Sequence, residues 1–238
     1  MQTPTNETSF SLNKKLPSCD VDQSMIKRIE GLAEDIPILR DESTHSNTAK
    51  MEISIAGRDE EEKLATIALF RRSYFDDGTR RVTITAGSAW KNSVRLRFDR
   101  DPMYSTIDIQ CQSPNARSDA KQIYDYVMDI VKDHRNCNGF LNPSMPLMQA
   151  VIAPASYFAF GMAIVLAKNS VVIASRAAFI GLAIQIYTNA HRIKPYTQFK
   201  TKLNEERSKW FNWFVFAILE FILISLALSP IIKFIATK

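Results

Sequence analysis

The sequence has few of the residues that build disulfide scaffolds and metal sites. Its three cysteines, Cys19, Cys111 and Cys137, are widely spaced and odd in number, so no disulfide framework is predicted. His134 and Cys137 have a spacing that metal ligands can have, but a structural zinc site needs four ligands and there is no second pair. We therefore expect no metal and no cofactor. His134 is predicted to face the core at the end of its helix, and Cys111 to be a small core residue.

Enzyme signatures are lacking as well. The sequence contains no glycine-rich nucleotide loop and no serine-hydrolase, kinase or metalloprotease motif. Two acidic clusters, at 59–62 and 99–101, lack the further carboxylates or the basic group that metal binding or acid–base chemistry requires. The sequence therefore predicts a protein that is not an enzyme, without catalytic residues.

The first part of the chain has little net charge. Residues 1–146 contain 20 Lys and Arg against 22 Asp and Glu, whereas residues 147–238 contain 10 against 3, so the net charge of +5 comes from the second part. A nucleic-acid-binding domain is normally basic itself, so no nucleic acid is expected as a partner. The first 30 residues lack the apolar core of a signal peptide, and we expect the soluble part to stay in the cytosol.

What the sequence does have is long apolar runs in its last third. They cover about 147–167, 170–188 and 210–236, and are interrupted only by Arg176, Gln185, Glu220 and a few other polar residues. A bilayer core about 30 Å thick is crossed by roughly 20 apolar residues in a helix. Three transmembrane helices are predicted, with residues 147–238 as the membrane region.

The loop between the second and third runs is basic. Lys and Arg near span ends favour the cytoplasmic side, so the loop and the soluble domain should both be cytoplasmic in a multi-pass protein of the plasma or inner membrane. We interpret the basic residues, with nearby aromatics, as ordinary interface anchors, with a specific lipid or partner site as the alternative. They are Arg192, Lys194, Lys200, Lys202, Arg207 and Lys209.

The soluble part is predicted to contain two segments. Residues 1–49 are interpreted as a flexible tail, disordered to residue 19, followed by a loosely attached amphipathic helix. Residues 50–136 are predicted to form an α+β domain of order β-α-β-β-β-α, with a four-stranded, mostly antiparallel sheet and two helices. Asp59 and Glu62 resemble a capping box, so the first of these helices should start there and extend to about Tyr74.

Two groups of polar residues are candidate sites. Arg176 and Glu220 are predicted to form an intramembrane pair, which is either static, a determinant of oligomer or partner specificity, or part of a conduction path. Arg95, Arg97, Thr83 and Thr85 are predicted on one face of the sheet. They form a possible anion or partner face, because guanidinium groups match phosphate geometry, or else a solvated surface.

The leading hypothesis is a non-enzymatic integral membrane protein. Its cytosolic α+β domain binds a partner or ligand, while three membrane helices anchor it, assemble it or relay a signal, as in a sensor, effector or complex subunit. The expected partners are the lipid bilayer and either copies of this chain, as a homo-oligomer, or other protein subunits. The alternative is an oligomeric pore or channel gated by the cytosolic domain.

Overall fold

The structure is a computed structural model that describes residues 8–35, 39, 51–71, 74–87, 92–142, 148–168, 170–217 and 220. The strands are β1 (Thr8–Lys15), β2 (Asp20–Val21), β3 (Met51–Ala56), β4 (Glu61–Leu64), β5 (Arg81–Gly87), β6 (Ser93–Asp99), β7 (Thr106–Ser113) and β8 (Gln198–Phe199). The helices are α1 (Gln23–Asp35), α2 (Ala116–Asp133), α3 (Asn138–Leu141), α4 (Ala153–Ala167) and α5 (Val171–Ile193), followed by α6 at 202–217.

Six strands form one antiparallel sheet in the order β1-β7-β6-β5-β3-β4. Apolar residues alternate with polar ones along the four central strands, so one face of the sheet is apolar there, while the edge strands β1 and β4 add charged residues to it. The register aligns Ile53, Ile84, Leu96 and Ile107 across four strands, and all four are buried. The predicted α+β class with an antiparallel sheet is confirmed, but the sheet has six strands instead of four.

Helices α1 and α2 cover the apolar face. Helix α2 buries residues at helical spacing, and α1 packs beside it with an ion pair of 2.8 Å between Arg28 and Asp133. Helix α1 was predicted to be loosely attached, yet Met25, Ile26 and Ile29 are buried in the core. That prediction was wrong because helical spacing in the sequence shows only which face of a helix is apolar. How tightly the helix is held depends on the sheet and on α2, against which that face packs.

The helix predicted to start at Asp59 is not formed. The Gly57 N–H donates to the Glu60 carbonyl at 2.8 Å, and this turn leads into β4, which pairs with β3 along Ile53–Ala56. Charged side chains suit an edge strand, since they discourage pairing with another chain. A 3₁₀ turn at Ile67–Leu69 follows, so the apolar spacing that indicated a helix instead places single residues in the core.

The tail was also predicted incorrectly. Residues 8–15 form edge strand β1 on β7, with Phe10 and Leu12 packed against the core. The two apolar residues alternate with serine and asparagine, which is the pattern of a half-buried strand, but a strand with only two apolar residues is hard to distinguish from a polar tail. Residues 1–7 lie outside the described residues.

Helices α4 and α5 form an antiparallel hairpin beyond the sheet. Among the described residues, one helical stretch is long and apolar enough to cross a membrane, Ala150–Ala167, and only 11% of it is buried. The predicted three spans are therefore not supported: no second stretch among the described residues meets these criteria, and most of the run at 210–236 lies outside the described residues.

If α1 belongs to the core, replacing one of its buried side chains by a smaller one should destabilise the protein. Ile29→Ala is expected to lower the free energy of unfolding by about 2–5 kcal/mol, because it leaves a cavity under α1. Urea unfolding of the detergent-solubilised protein, followed by circular dichroism, would measure this loss. The matched control is Lys27→Ala on the exposed side of α1, expected to change stability by less than about 0.5 kcal/mol. Equal effects of the two changes would contradict the assignment of α1 to the core.

Candidate functional site

The segment between α5 and α6, residues 194–201, is built into the sheet domain and is called the connector here. Its strand β8 pairs in parallel with β2, aligning Asp20 with Gln198 and Val21 with Phe199. The Gln198 N–H donates to the Cys19 carbonyl and the Lys200 N–H to the Val21 carbonyl, both at 3.0 Å. The connector is therefore part of the fold and not a surface loop.

Phe199 anchors the connector in the core. Its side chain is fully buried, and its ring meets Phe75 edge-on at 5.9 Å, while Phe75 stacks on Phe70 at 5.5 Å. Burying a phenylalanine side chain stabilises a fold by roughly 1.5–3 kcal/mol, and aromatic pairs add to that. Phe199 thus ties the segment between α5 and α6 to the hydrophobic core of the sheet domain.

Tyr196 fixes the other end of the connector. Its hydroxyl donates to the Leu16 carbonyl at 2.8 Å, and its backbone N–H donates to the Arg100 carbonyl at 3.1 Å. Burial and the neighbouring Cys19 raise the pKa of the Tyr196 hydroxyl, although Arg135 acts in the opposite direction. The hydroxyl therefore remains a neutral donor in the range where proteins function.

Helix α3 satisfies the polar backbone of the connector. The side-chain amide of Asn138 donates to the Pro195 carbonyl at 3.0 Å and to Gln198 Oε1 at 3.3 Å, and the amide of Asn142 donates to the Lys194 carbonyl at 2.9 Å. Buried carbonyl groups need such partners, because an unpaired one costs about as much as a lost hydrogen bond. Helix α3 and the adjoining Asn142 thus hold the connector against the sheet domain.

The start of α6 is also held by the domain. The Asp77 carboxylate accepts the Leu203 N–H at 3.1 Å, and the Phe75 N–H donates to the Lys200 carbonyl at 3.1 Å. Within the first turn, the Asn204 amide donates to the Phe199 carbonyl at 3.0 Å. Because α5 enters the connector and α6 leaves it, the sheet domain determines the direction of both helices.

A cleft of about 390 Å³ lies where the connector meets the sheet domain. In it, His134 Nδ1 lies 3.1 Å from the Ile130 carbonyl and Nε2 lies 3.8 Å from Asp22 Oδ1. His134 is mostly buried, in agreement with its predicted inward position. The charged residues that line the cleft are Asp20, Asp22, Asp133, His134, Arg135, Lys200 and Glu205.

Asp22 caps the first turn of α1 from within this cleft. Its carboxylate accepts the Ser24 hydroxyl at 2.6 Å and the Met25 N–H at 2.8 Å. Partial burial acts to raise its pKa, but the hydrogen bonds from Ser24 and Met25, with the charges of His134 and Lys200, outweigh burial and lower the pKa below its ordinary value. Asp22 therefore stabilises the fold most when its carboxyl group is ionised.

The cysteines do not provide a nucleophile in the core. Burial, with a smaller contribution from Asp20, raises the pKa of Cys19 to about 12, and burial with Asp119 raises the pKa of Cys111 to about 11. Both thiols stay protonated and unreactive at neutral pH. The predicted core position of Cys111 is confirmed. In the part of the chain that the structure describes, no three His, Cys, Asp or Glu residues are placed to hold a metal ion.

The sheet brings the predicted anion or partner residues together on the face opposite α1 and α2. Arg97 lies beside Thr83 and Arg95 beside Thr85 across the β5–β6 ladder. Arg97 is already engaged, since its guanidinium group lies 4.9 Å from the Tyr104 ring and 3.4 Å from the carboxylate of Asp99. Arg95 is exposed. The four residues share one face, Arg95 is more exposed than Arg97, and their role as a binding face stays a prediction.

The predicted membrane residues are only partly placed. Gln185 accepts a hydrogen bond of 3.0 Å from Ser156, which joins α5 to α4. Arg176 and Glu220 both have exposed side chains, but residues 218–219 and 221–238 lie outside the described range, so their pairing stays a prediction.

Sequence reasoning assigned the basic residues at 192–209 to the membrane interface, and this role also stays a prediction. Lys194 is half-buried and contacts Ser208, and Lys200 lies 5.9 Å from the Tyr74 ring, with its backbone in the connector. The side chain of Arg192 lies outside the described residues. The remaining members are exposed, namely Lys202, Arg207 and Lys209.

No family model, curated protein or solved structure matches the chain. Sequence reasoning missed the connector, since its aromatic residues were assigned to the membrane interface together with the basic ones. The available signal was weak, because Tyr196 and Phe199 lie three residues apart and do not follow the period of two that marks a strand.

The pKa of Asp22 generates a prediction. Because its pKa is lowered in the folded protein, ionised Asp22 contributes stability above the ordinary aspartate pKa of about 4, and this contribution is lost as the pH falls through the lower, folded value. Asp22→Asn keeps the helix cap but removes the charge, which is worth about 0.3–1 kcal/mol near a helix start.

Thermal melting between pH 3 and pH 7 should show Asp22→Asn to be less stable than the wild type at pH 7, with the difference shrinking below about pH 4. Asp129→Asn, on the exposed side of α2, is the matched control and should show a smaller difference. A difference that is constant across this pH range would contradict the role of the ionised carboxylate.

Proposed function

We propose that the protein is a non-enzymatic, multi-pass integral membrane protein, in which the cytosolic α+β domain binds a partner or ligand and relays that event to the membrane helices. The observation that carries this proposal is the connector. Its burial in the sheet domain joins the ends of α5 and α6 to the same core that supports the binding face.

The hairpin of α4 and α5 supports the membrane assignment. Large apolar side chains on its outer surface are exposed, while small residues pack between the helices. A Cβ added to Gly181 would lie 3.1 Å from the ring of Phe160, so the two helices approach closely there. Exposed apolar side chains outside and small residues inside are the arrangement that lipid-embedded helices adopt. We propose that α4, α5 and the run at 210–236 span the bilayer.

The connector also supports the predicted orientation. It holds the basic residues Lys194 and Lys200 against the sheet domain, so the domain and this end of α5 and α6 lie on one side of the membrane. Excess Lys and Arg favours the cytoplasmic side. The proposed topology places the sheet domain in the cytosol.

The relay follows from the shared core. A shift of β2 would disturb the hydrogen bonds from β8, and with them the orientation of α5 and α6. By linkage, any ligand that prefers one helix orientation changes the affinity of the domain for its own partner, and the reverse holds equally. This is the behaviour of a sensor or effector.

We propose the open face of the sheet as the partner site. Helices α1 and α2 cover the other face, and the open face combines Arg95 with Thr83 and Thr85. Across the two ladders, Arg95 lies opposite Thr85 on one side and Asp108 on the other. Its exposed guanidinium group suits a carboxylate- or phosphate-bearing partner.

The pore alternative has weaker support in the described residues. A conducting path through the helices needs polar groups that face water. Gln185, a polar residue of α5, is instead hydrogen-bonded to Ser156 within the hairpin.

A distance measurement would test the relay. Spin labels at Asp129→Cys on α2 and Ile180→Cys on α5, in a Cys137→Ser background, would report the orientation of the hairpin, because Cys19 and Cys111 are buried. Double electron–electron resonance should give a narrow distance distribution for the wild-type connector and a broad one for Phe199→Ala. Phe199→Leu, which keeps an apolar side chain, should give an intermediate width and covers the case in which Phe199→Ala fails to fold.

The matched control for that experiment is Phe158→Ala, on the exposed surface of α4. It should leave the distribution narrow. A narrow distribution in folded Phe199→Ala and Phe199→Leu would show that the connector does not fix the helices, and would overturn the relay.

Native mass spectrometry of the detergent-extracted particle would test the binding face. Arg95→Glu is expected to lose a molecule that copurifies with the wild type, because the substitution reverses the accessible charge of the face. Arg117→Glu, exposed on α2, is the matched control and should retain it. A wild-type particle that contains only this chain, or equal retention by both variants, would contradict the assignment of this face.

A further inference from the structure

We propose that four aromatic residues form a collar that sits in the headgroup layer of the bilayer and fixes the height of the sheet domain above the membrane. The collar consists of Phe140, Tyr187, Trp210 and Trp213, and its partner is the lipid surface. This inference rests on the proposed membrane embedding of the α4–α5 hairpin and adds to it a position for the membrane boundary.

Phe140 is the part of the sheet domain that would touch lipid. Its side chain is 78% exposed although it is large and apolar. Its position is fixed, because the Tyr187 hydroxyl donates to the Phe140 carbonyl at 2.6 Å and the two rings meet edge-on with centroids 5.7 Å apart. A fixed and exposed phenylalanine beside a membrane helix presents its ring to whatever surrounds that helix.

Helix α6 contributes the other half of the collar. Trp210 and Trp213 are both exposed, and their rings meet edge-on at 5.9 Å. Aromatic side chains with a polar group, such as tryptophan and tyrosine, settle at the boundary between headgroups and hydrocarbon. The phenylalanine adds apolar surface at the same boundary.

The two halves lie at similar depths. Counted from the connector at about 1.5 Å per residue, Tyr187 lies about 10 Å along α5, and Trp210 and Trp213 lie about 14 Å and about 18 Å along α6, all within a layer about 8 Å thick. The segments between the connector and these aromatics are polar, with Thr188 and Asn189 on α5 and Glu205, Glu206 and Arg207 on α6. Polar helix ends followed by aromatics mark the passage from water into the headgroups.

The length of α5 fits this boundary independently. From Tyr187 to Val171, the first residue of α5, the helix rises about 24 Å at ~1.5 Å per residue. Arg176 lies within this stretch, about 16 Å from Tyr187 at ~1.5 Å per residue. The hairpin tip beyond Val171 holds Lys168, so the distance from the collar to the charged tip is close to the hydrocarbon thickness of about 30 Å. A collar at Tyr187 therefore lets the hairpin just cross the bilayer.

A consequence is that the sheet domain stands clear of the membrane. The polar ends of α5 and α6 would hold the connector about 10 Å above the collar, at ~1.5 Å per residue. Helix α3 reaches down to the lipid through Phe140, which leaves the polar face of the sheet accessible to a cytosolic partner.

Depth-dependent fluorescence quenching would test the collar. Full-length protein with Cys137→Ser and Phe140→Cys, labelled with an environment-sensitive fluorophore, is reconstituted into vesicles of phosphatidylcholine and phosphatidylglycerol. Two kinds of lipid are compared, one with a nitroxide on the headgroup and one with a nitroxide deep in the acyl chain. The kind that quenches the fluorophore more strongly reports the depth of the label. The matched labels are Ile164→Cys on α4, 75% exposed, and Leu69→Cys in the sheet domain, 57% exposed.

The expected result is strong quenching of the label at 140 by the headgroup nitroxide and at least threefold weaker quenching by the acyl-chain nitroxide. The label at 164 should show the opposite preference, and the label at 69 should be quenched by neither. Quenching at 164 without quenching at 140 would overturn the collar while leaving the membrane anchor intact. Absence of quenching at 164 as well would overturn both, and protection of the label at 140 by another protein surface would assign Phe140 to a protein partner instead.

Discussion

The burial of the connector is the constraint on which the rest of the structure depends. A chain segment that enters a core brings its polar backbone with it, and each buried group needs a partner. The connector meets this requirement through the short parallel ladder with β2 and through the amides of Asn138 and Asn142. Once these hydrogen bonds are made, they restrict the directions in which α5 and α6 can extend from the connector.

This constraint also explains why the domain takes its core from distant parts of the sequence. Leu16 comes from the region predicted to be a tail, Val21 from the start of the predicted amphipathic helix, and Phe199 from the loop between two proposed membrane helices. The hydrogen bond from the Tyr196 hydroxyl to the Leu16 carbonyl also joins the connector to the N-terminal part of the chain. The sheet domain and the hairpin are therefore better described as one folded unit than as a domain with an anchor.

Sequence patterns predicted the parts of the fold whose stability is local or repetitive. Strands β3, β5, β6 and β7 alternate strictly, and α2 has a full apolar stripe, so their types followed from periodicity. Strand β4 and the connector have too few apolar residues for a period to be distinguished, and their conformation depends on partners far along the chain, such as Leu16 for Tyr196. The grouping of Arg95 with Arg97 was predictable because it needed only the register within one sheet, whereas the cleft around His134 needed the connector.

The difference between an anchor and a relay is mechanical. A flexible link would hold the domain near the bilayer but transmit no orientation, because its ends move independently. In this protein, both helices adjoining the connector are bound to the domain at points that include Phe75, Asp77 and Phe199, so they cannot tilt without breaking hydrogen bonds or opening the aromatic cluster. The free energy with which the connector docks into the sheet domain limits how strongly the domain and the helices are coupled. A perturbation that costs more than this free energy would release the connector instead of moving the sheet. A fully buried phenylalanine sets that limit at several times thermal energy, which is the order of coupling that the proposed relay requires.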